Sequence, residues 1–237
     1  MNIPLIRNAA AGNALPASFA SPGISDAIDL TRLASRLTQI IPARLTKARR
    51  PTLYDAGKQL LDLALSAVLL AILALPFAGI ALLVKATSSG PALFRQDRIG
   101  QGGRLFAMYK FRSMYQEAPR YGYSPMTGAD PRITPVGRFL RRTSLDELPQ
   151  LINVFVGQMS LVGPRPEMPF IVEQYSAEQR QRLCVKPGIT GLWQISPHRG
   201  SPIHEHLEYD FYYVAHRSLA LDAVILLRTV RVAARGI

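Results

Sequence analysis

The chain has 237 residues, of which 48% are hydrophobic and 19% charged, and its formal net charge is +12. At roughly 100–200 residues per domain, this length accommodates one catalytic-sized domain and an anchoring segment. The positive charge indicates a polyanionic partner, namely nucleic acid, an anionic membrane surface or a phosphorylated substrate. Cys184 is the only cysteine, which excludes an internal disulfide.

Residues 1–53 are predicted to form an N-terminal extension. Residues 1–23 are rich in Ala, Asn, Pro and Ser, a composition typical of disorder. Apolar residues then recur at helical spacing over residues 24–41, and Pro42 would end that helix. This pattern predicts a short amphipathic helix that lies on a membrane or packs on the domain, and both alternatives stay open.

An apolar run over residues 60–84, interrupted by Pro76, has the length of a membrane element. Its only charged residue is Asp62, and about 20 apolar residues at about 1.5 Å rise each can cross a bilayer. Basic residues flank both ends, so the positive-inside rule favours the cytoplasm for both. A helix that breaks at Pro76 and returns to the face it left satisfies both flanks. An ordinary kinked span, with the soluble domain outside, is the open alternative.

Residues 92–98 and Leu105–Phe111 are predicted to form a β-hairpin, joined by a turn with three glycines. The long loop that follows, residues 113–135, is of a kind that is often functional. Helices are predicted over residues 144–155, 173–183, 204–214 and 219–234, with irregular segments over 162–169 and 186–199. The last helix is amphipathic and basic, which suits a membrane surface or packing on the core.

Two adjacent carboxylates, Asp146 and Glu147, lie in a strongly basic stretch. Such a pair suits phosphate chemistry, because one carboxylate can attack phosphorus while the other holds Mg²⁺. The structural alternative is a capping box, with Ser144 at the N-cap and Glu147 bonding back to it. The tetrapeptide alone favours the cap, although Pro149 weakens that interpretation.

Three further cations are candidates for phosphate contacts. Alternation along the second strand puts Lys110 and Arg112 on one face, where they could bracket a diphosphate. Arg165 lies between two prolines that restrict its backbone, which suits a bidentate phosphate contact. In each case the alternative is a solvated surface cation.

In combination, residues 88–114, 130–169 and 186–195 closely resemble the bacterial sugar transferase family. These are the monotopic polyprenyl-phosphate phosphoglycosyl transferases, which start exopolysaccharide, capsule and O-antigen assembly. The resemblance runs from about Tyr54 to the C-terminus and is to the small, exopolysaccharide-type form. Leu75 stands where some members have serine before the proline, and Arg199 follows Pro197-His198 instead of the usual glycine.

The resemblance implies transfer of a sugar 1-phosphate from a UDP-sugar to polyprenyl (undecaprenyl) phosphate with release of UMP. Asp146 would be the nucleophile and form a covalent aspartyl-phosphosugar intermediate, while Glu147 would support Mg²⁺ binding or proton transfer. Both carboxylates are thus the expected metal ligands. The expected substrate-binding residues are Lys110, Arg112, Arg141, Asn153, Arg165, Glu167, Arg199 and Asp210.

The resemblance also favours the re-entrant helix, with Pro76 as the break. The expected fold is α+β: a mostly helical catalytic domain (88–237) with a small β-hairpin, a re-entrant membrane helix (54–87) and amphipathic surface helices. The expected location is the cytoplasmic face of the bacterial inner membrane, with anionic lipids as partners and no nucleic acid. The alternatives are a non-catalytic basic membrane-surface scaffold and a nucleotide-sugar hydrolase.

Overall fold

The computed structural model describes residues 52–118 and 130–234. The predicted amphipathic helix of the N-terminal extension and most of the loop after the hairpin lie outside these residues. The helices are α1 (Leu53–Ile72), α2 (Ala74–Thr87), α3 (Pro135–Arg142), α4 (Gln150–Phe155), α5 (Pro169–Val172), α6 (Glu208–His216) and α7 (Leu219–Ala234). The strands are β1 (Leu93–Ile99), β2 (Leu105–Phe111), β3 (Ser160–Val162) and β4 (Gly188–Thr190). The mixture of helices with small sheets confirms the expected α+β class.

Helices α1 and α2 form a pair that is bent by 62°. No single helix in the described ranges is long and apolar enough for a membrane span, whereas the two helices together meet both requirements. The break lies at Leu73, three residues before the predicted position at Pro76. A proline ring clashes with the carbonyl four residues earlier, which here belongs to Ile72, so α1 ends at that residue.

The helix pair buries two polar side chains of α1 and exposes many of its apolar ones. Asp62 and Ser66 are buried, whereas Leu60, Ile72 and Leu75 are all at least two-thirds exposed. The Asp62 carboxylate accepts a hydrogen bond from the backbone N–H of Leu161 at 3.0 Å. Asp62 therefore attaches α1 to β3, while most of the leucines of α1 face outward.

The start of α1 is attached to the last helix of the chain. Asp222 of α7 accepts hydrogen bonds from Tyr54 (3.0 Å) and Lys58 (2.9 Å) of α1 and from Tyr213 (2.8 Å) of α6. The buried Asp222 carboxylate thus joins the first and last described helices.

The predicted hairpin is confirmed: β1 and β2 pair antiparallel, with Leu93 opposite Phe111 and Ile99 opposite Leu105. A second sheet, the parallel pair of β3 and β4, was not predicted. Its strands have three residues each, and β4 begins at a glycine in a Gly/Pro-rich segment, so the sequence shows no alternation there. Gly188 approaches Gly163 so closely that a Cβ atom would lie 2.0 Å from the Gly163 nitrogen.

Residues 219–234 form the predicted helix, whereas the helix predicted over 173–183 is wrong. Helix α5 ends at Val172, just before that segment, and the segment itself ends in a 3₁₀ turn at Gln179–Cys184. Ser176 and Gln179 exchange hydrogen bonds between side chain and backbone, which starts a new turn at this point. The helix predicted over 204–214 is a 3₁₀ turn followed by α6.

Two apolar clusters form the core. The larger one surrounds Tyr209 and Ile225, which are completely buried. The smaller one joins Val84 of α2, Phe111 of β2 and Leu140 of α3. Because α2 packs on both β2 and α3, the helix pair is part of the framework that holds the residues described next.

Candidate active site

The Asp146–Glu147 pair lies in a 3₁₀ turn, Leu145–Glu147, between α3 and α4. The continuous helix predicted over 144–155 is wrong, because α4 begins only at Gln150, after Pro149. The capping box is also absent: Ser144 has a φ of 57° and its side chain makes no cap bond. The left-handed conformation is unusual for a residue other than glycine and is often found at functional sites. Glu147 is therefore available for other contacts.

Glu147 is the centre of an ion cluster. Its Oε1 accepts from Lys110 Nζ at 2.7 Å and from Arg165 Nη2 at 2.8 Å, and its Oε2 accepts from Arg165 Nη1 at 3.3 Å. Burial opposes ionisation of Glu147, but the charges of Arg165 and Lys110 outweigh it and hold its pKa well below the ordinary value. Glu147 is thus a fixed anion that orients two cations.

Asp146 has the opposite environment. Its side chain is buried, yet in the described part of the chain it forms no hydrogen bond or ion pair. Burial raises its pKa to about 6, although Lys110 and Arg141 act in the other direction. The carboxylate is therefore largely ionised at neutral pH, surrounded by positive charge, and not used by the fold.

The structure brings Lys110, Arg141 and Arg165 together around the two carboxylates. Lys110 is the next-to-last residue of the hairpin strand β2, Arg141 lies in the last turn of α3, and Arg165 follows β3. The Arg165 guanidinium also lies over the ring of Trp193, 5.7 Å from its centroid. Three elements that are distant in sequence thus supply a cationic surround for the Asp146 carboxylate.

Arg112 does not join this group, so the predicted diphosphate bracket with Lys110 is not formed. The Arg112 guanidinium donates to the backbone carbonyls of Ser88, at 2.8 Å, and Ser89 at the end of α2. Strand β2 ends at Phe111, so the alternation that placed both cations on one face does not extend to Arg112. Its side chain caps the helix pair instead.

Asn153 is fully buried, and its amide is bonded only within the protein. Its Oδ1 accepts from the backbone N–H of Tyr109 at 3.0 Å, and its Nδ2 donates to the Ala107 carbonyl and to Gln158 Oε1, both at 2.8 Å. These bonds join α4 to β2. The structure therefore gives Asn153 a structural position, and its expected substrate contact stays a prediction.

Glu167 and Asp210 are both bonded to Arg182, a residue that was not predicted to belong to the site. Arg182 donates to Glu167 Oε2 at 3.3 Å and to Asp210 Oδ2 at 2.7 Å. It also donates to the backbone carbonyl of Arg165 at 2.7 Å. Both carboxylates are buried and bonded to Arg182, so the structure gives them a supporting position next to the Arg165 segment, and their expected substrate contact stays a prediction.

Arg98 was also missed. It is buried on β1 and donates to the backbone carbonyl of Pro166 at 3.1 Å. Burial, together with the nearby charge of Arg165, lowers the pKa of Arg98 to about 10. The remaining candidate, Arg199, is half-buried in the turn after Trp193, where its backbone N–H donates to the Ser196 carbonyl.

The site fits Mg²⁺ only with ligands from outside the protein. Within residues 52–118 and 130–234, no three or more His, Cys, Asp or Glu side chains are grouped to hold a metal. Mg²⁺ commonly takes one or two carboxylates and completes its octahedron with water and substrate phosphates. Asp146 and Glu147 offer these two carboxylates, and none of the described side chains bonds to Asp146.

Comparison with known proteins identifies the family of the chain. A family profile described as bacterial sugar transferase matches residues 53–236. Galactosyl transferase CpsE of Streptococcus agalactiae is 45% identical over 62% of this chain and 35% of its own length. The UDP-N-acetylgalactosamine-undecaprenyl-phosphate N-acetylgalactosaminephosphotransferase of Aeromonas hydrophila is 39% identical, over 71% of this chain and 43% of its own.

A relative of more similar length comes from Caulobacter vibrioides. This UDP-glucose:undecaprenyl-phosphate glucose-1-phosphate transferase is 39% identical over 81% of this chain and 75% of its own length. The chain spans less than half the length of the first two relatives.

Proposed function

Because the chain belongs to the bacterial sugar transferase family, we propose that it transfers a sugar 1-phosphate from a UDP-sugar to undecaprenyl phosphate. The relatives are named for galactose, N-acetylgalactosamine and glucose, so the proposal names no particular sugar. The reaction would be the first step in the assembly of an exopolysaccharide, capsule or O-antigen-type glycan.

The observation that carries the proposal is the Asp146 carboxylate, which has no hydrogen-bond or ion-pair partner within residues 52–118 and 130–234 and lies beside an ion-paired Glu147. An Asp146 oxygen attacks the sugar-bearing phosphorus, and the bond from that phosphorus to the UMP oxygen breaks, so that UMP leaves with the electron pair. An oxygen of undecaprenyl phosphate then attacks the aspartyl-phosphosugar. The new diphosphate bond forms, and Asp146 is regenerated as a carboxylate.

The cations around the pair stabilise charge on the phosphates. Arg165 presents a planar donor pair, and Lys110 and Arg141 add two point charges close to Asp146. Glu147 holds Arg165 and Lys110 in place before substrate arrives, so these donors are preorganised. Mg²⁺ bound by Asp146 and Glu147 would screen the repulsion between the attacking carboxylate and the diphosphate.

We further propose that the bent pair α1–α2 is a re-entrant membrane element and that the catalytic domain lies on the cytoplasmic face of the inner membrane. The outward leucines, the buried Asp62 and the basic flanks support this arrangement. Helix α7 adds exposed Leu227 and Val230, which suit contact with anionic lipids beside its arginines. Undecaprenyl phosphate at the headgroup level could then meet a soluble UDP-sugar.

The reaction is tested by UMP release from a panel of UDP-sugars, with purified protein in detergent or nanodiscs. Transfer requires that release depends on undecaprenyl phosphate and on Mg²⁺ and gives a lipid-linked product. Release that continues at full rate without the lipid would indicate a hydrolase, and no release from any UDP-sugar would favour a binding scaffold. Exchange of labelled UMP into the UDP-sugar without lipid tests the covalent intermediate, because a two-step mechanism permits that exchange.

Topology is tested with single cysteines at either end of the helix pair, Gln59→Cys and Ser88→Cys, in a Cys184→Ser background. A re-entrant element predicts that a membrane-impermeant thiol reagent labels both positions only from the cytoplasmic side. Asp130→Cys, in the catalytic domain, is the control for that side. Labelling of one end from the outside would support the ordinary span instead.

A further inference from the structure

Arg182 is the most buried charged side chain near the site, with about 1% of its side chain exposed. Its guanidinium has four partners: Asp210, Glu167, the Tyr175 hydroxyl at 3.2 Å, and the Arg165 carbonyl. Burial of charged groups carries a large desolvation cost, so a buried ion-pair cluster is weak evidence that its members stabilise the fold. Its geometry therefore calls for a role other than simple stability.

The bond to the Arg165 carbonyl connects this buried group to the proposed phosphate site. Arg182 Nη2 lies 2.7 Å from that oxygen, and prolines on both sides limit the backbone freedom of Arg165. On the next residue, the Pro166 carbonyl accepts from Arg98 at 3.1 Å. Two buried arginines thus hold consecutive carbonyls of the segment that presents Arg165.

The side chain of Arg165 extends from this fixed segment to Glu147. It makes two hydrogen bonds to that carboxylate and lies over Trp193. A small rotation of the Arg165 backbone would move the guanidinium away from both partners, because the side chain magnifies any change at its Cα. A misplacement of about 1 Å at a group that contacts the substrate can lower the reaction rate about 100-fold.

We propose that Arg182 is a positioning residue: with Asp210 and Glu167 it fixes the backbone of Arg165 and so aims the Arg165 guanidinium at the phosphate site. The proposal rests on the proposed function, in which Arg165 contacts the phosphates. Arg182 itself touches neither substrate nor Asp146, and it acts only through Arg165.

The first test uses Trp193, the only tryptophan of the chain, as a reporter that needs no substrate. The Arg165→Ala variant is the reference: its tryptophan fluorescence shows how much the emission changes when the guanidinium no longer lies over the indole. Arg182→Lys keeps the charge but loses the forked geometry, and we expect it to give at least half of that change. Arg180→Lys is the matched control, because Arg180 lies in the same 3₁₀ turn and its guanidinium donates to the carbonyls of Tyr175 and Glu173. An Arg182→Lys spectrum identical to wild type would overturn the proposal.

The second test is a double-mutant cycle on kcat/KM for UMP release. We expect Arg182→Lys to lower kcat/KM about tenfold in the wild-type background and less than about twofold in the Arg165→Ala background. Equal losses in the two backgrounds would show that Arg182 does not act through Arg165. If Arg182→Lys does not fold, as judged by thermal unfolding, Asp210→Asn replaces it in both tests.

The two proposals can fail separately. Wild-type protein that releases no UMP would refute the proposed function, whereas the emission of Trp193 would still report whether Arg182 positions Arg165.

Discussion

Two clusters of carboxylates and cations meet at Arg165, and they differ in what they leave unpaired. In the outer cluster, Glu147 is bonded to Lys110 and Arg165, while Asp146 has no partner among the described residues. In the inner cluster, Arg182 satisfies both Glu167 and Asp210. Similar residue types therefore have different roles in the two clusters. The unpaired buried carboxylate of the outer cluster indicates a catalytic group, and the fully paired inner cluster indicates a structural support.

The substitution Asp146→Asn is the most direct test of this difference between the two clusters. We expect loss of UMP release by at least about 10³-fold, because an amide is a poor nucleophile towards phosphorus. We also expect no loss of thermal stability, because burial disfavours the charge that is removed. Asp130→Asn, which breaks a surface ion pair with Arg132, is the matched control and should retain activity. An active Asp146→Asn enzyme would move the nucleophile elsewhere.

Removal of one cation from the outer cluster should have the next largest effect. Lys110→Met leaves Glu147 with Arg165 alone, and we expect kcat/KM for UMP release to fall about 30- to 100-fold. Arg104→Met removes a cation just before the other end of the same strand and should have little effect. If the two variants are equally active, Glu147 and Lys110 do not belong to the catalytic group.

Asn153→Ala asks whether a residue expected to bind substrate is structural. Loss of its three side-chain hydrogen bonds should lower the free energy of unfolding by about 2–4 kcal/mol, with KM for the UDP-sugar unchanged within about twofold. Gln158→Ala removes only one of these bonds, at an exposed residue, and should cost about 1 kcal/mol or less. A raised KM at unchanged stability would restore the substrate role of Asn153.

The smallest expected effect is a pH dependence in the inner cluster. Its hydrogen bond to Glu167, at 3.2 Å, raises the pKa of His204 above the ordinary 6.5; Glu205 acts in the same direction and Arg182 against it. A raised folded-state pKa stabilises the fold below about pH 6.5, and this contribution is lost as the pH rises through the folded value. Thermal unfolding of wild type and His204→Gln should therefore differ most below about pH 6.5 and converge as the pH rises through the raised folded-state pKa of His204. His216→Gln, which removes a surface histidine, is the control, and a difference that grows with pH would contradict the prediction.

Much of the framework was predictable, because the hairpin and α7 have clear periodicity over several residues. Three-residue strands and 3₁₀ turns were not, because they depend on contacts such as the close approach of Gly163 and Gly188. In the site, Asp146, Glu147, Lys110, Arg141 and Arg165 were predicted as a group and are found together. Arg98 and Arg182 were missed, because nothing in a sequence distinguishes a buried arginine from one on the surface.

The contacts of the leading helices have a practical consequence for anyone who wishes to handle this protein in water. A truncated version that starts after residue 87 would keep Asp146 and its neighbours. It would lose the carboxylate of Asp62 from β3, the helix end that Arg112 caps, and two donors to Asp222. Deletion of α1 and α2 would therefore destabilise the remainder, whereas a variant in which the outward leucines of these helices are replaced by polar residues keeps all of these contacts.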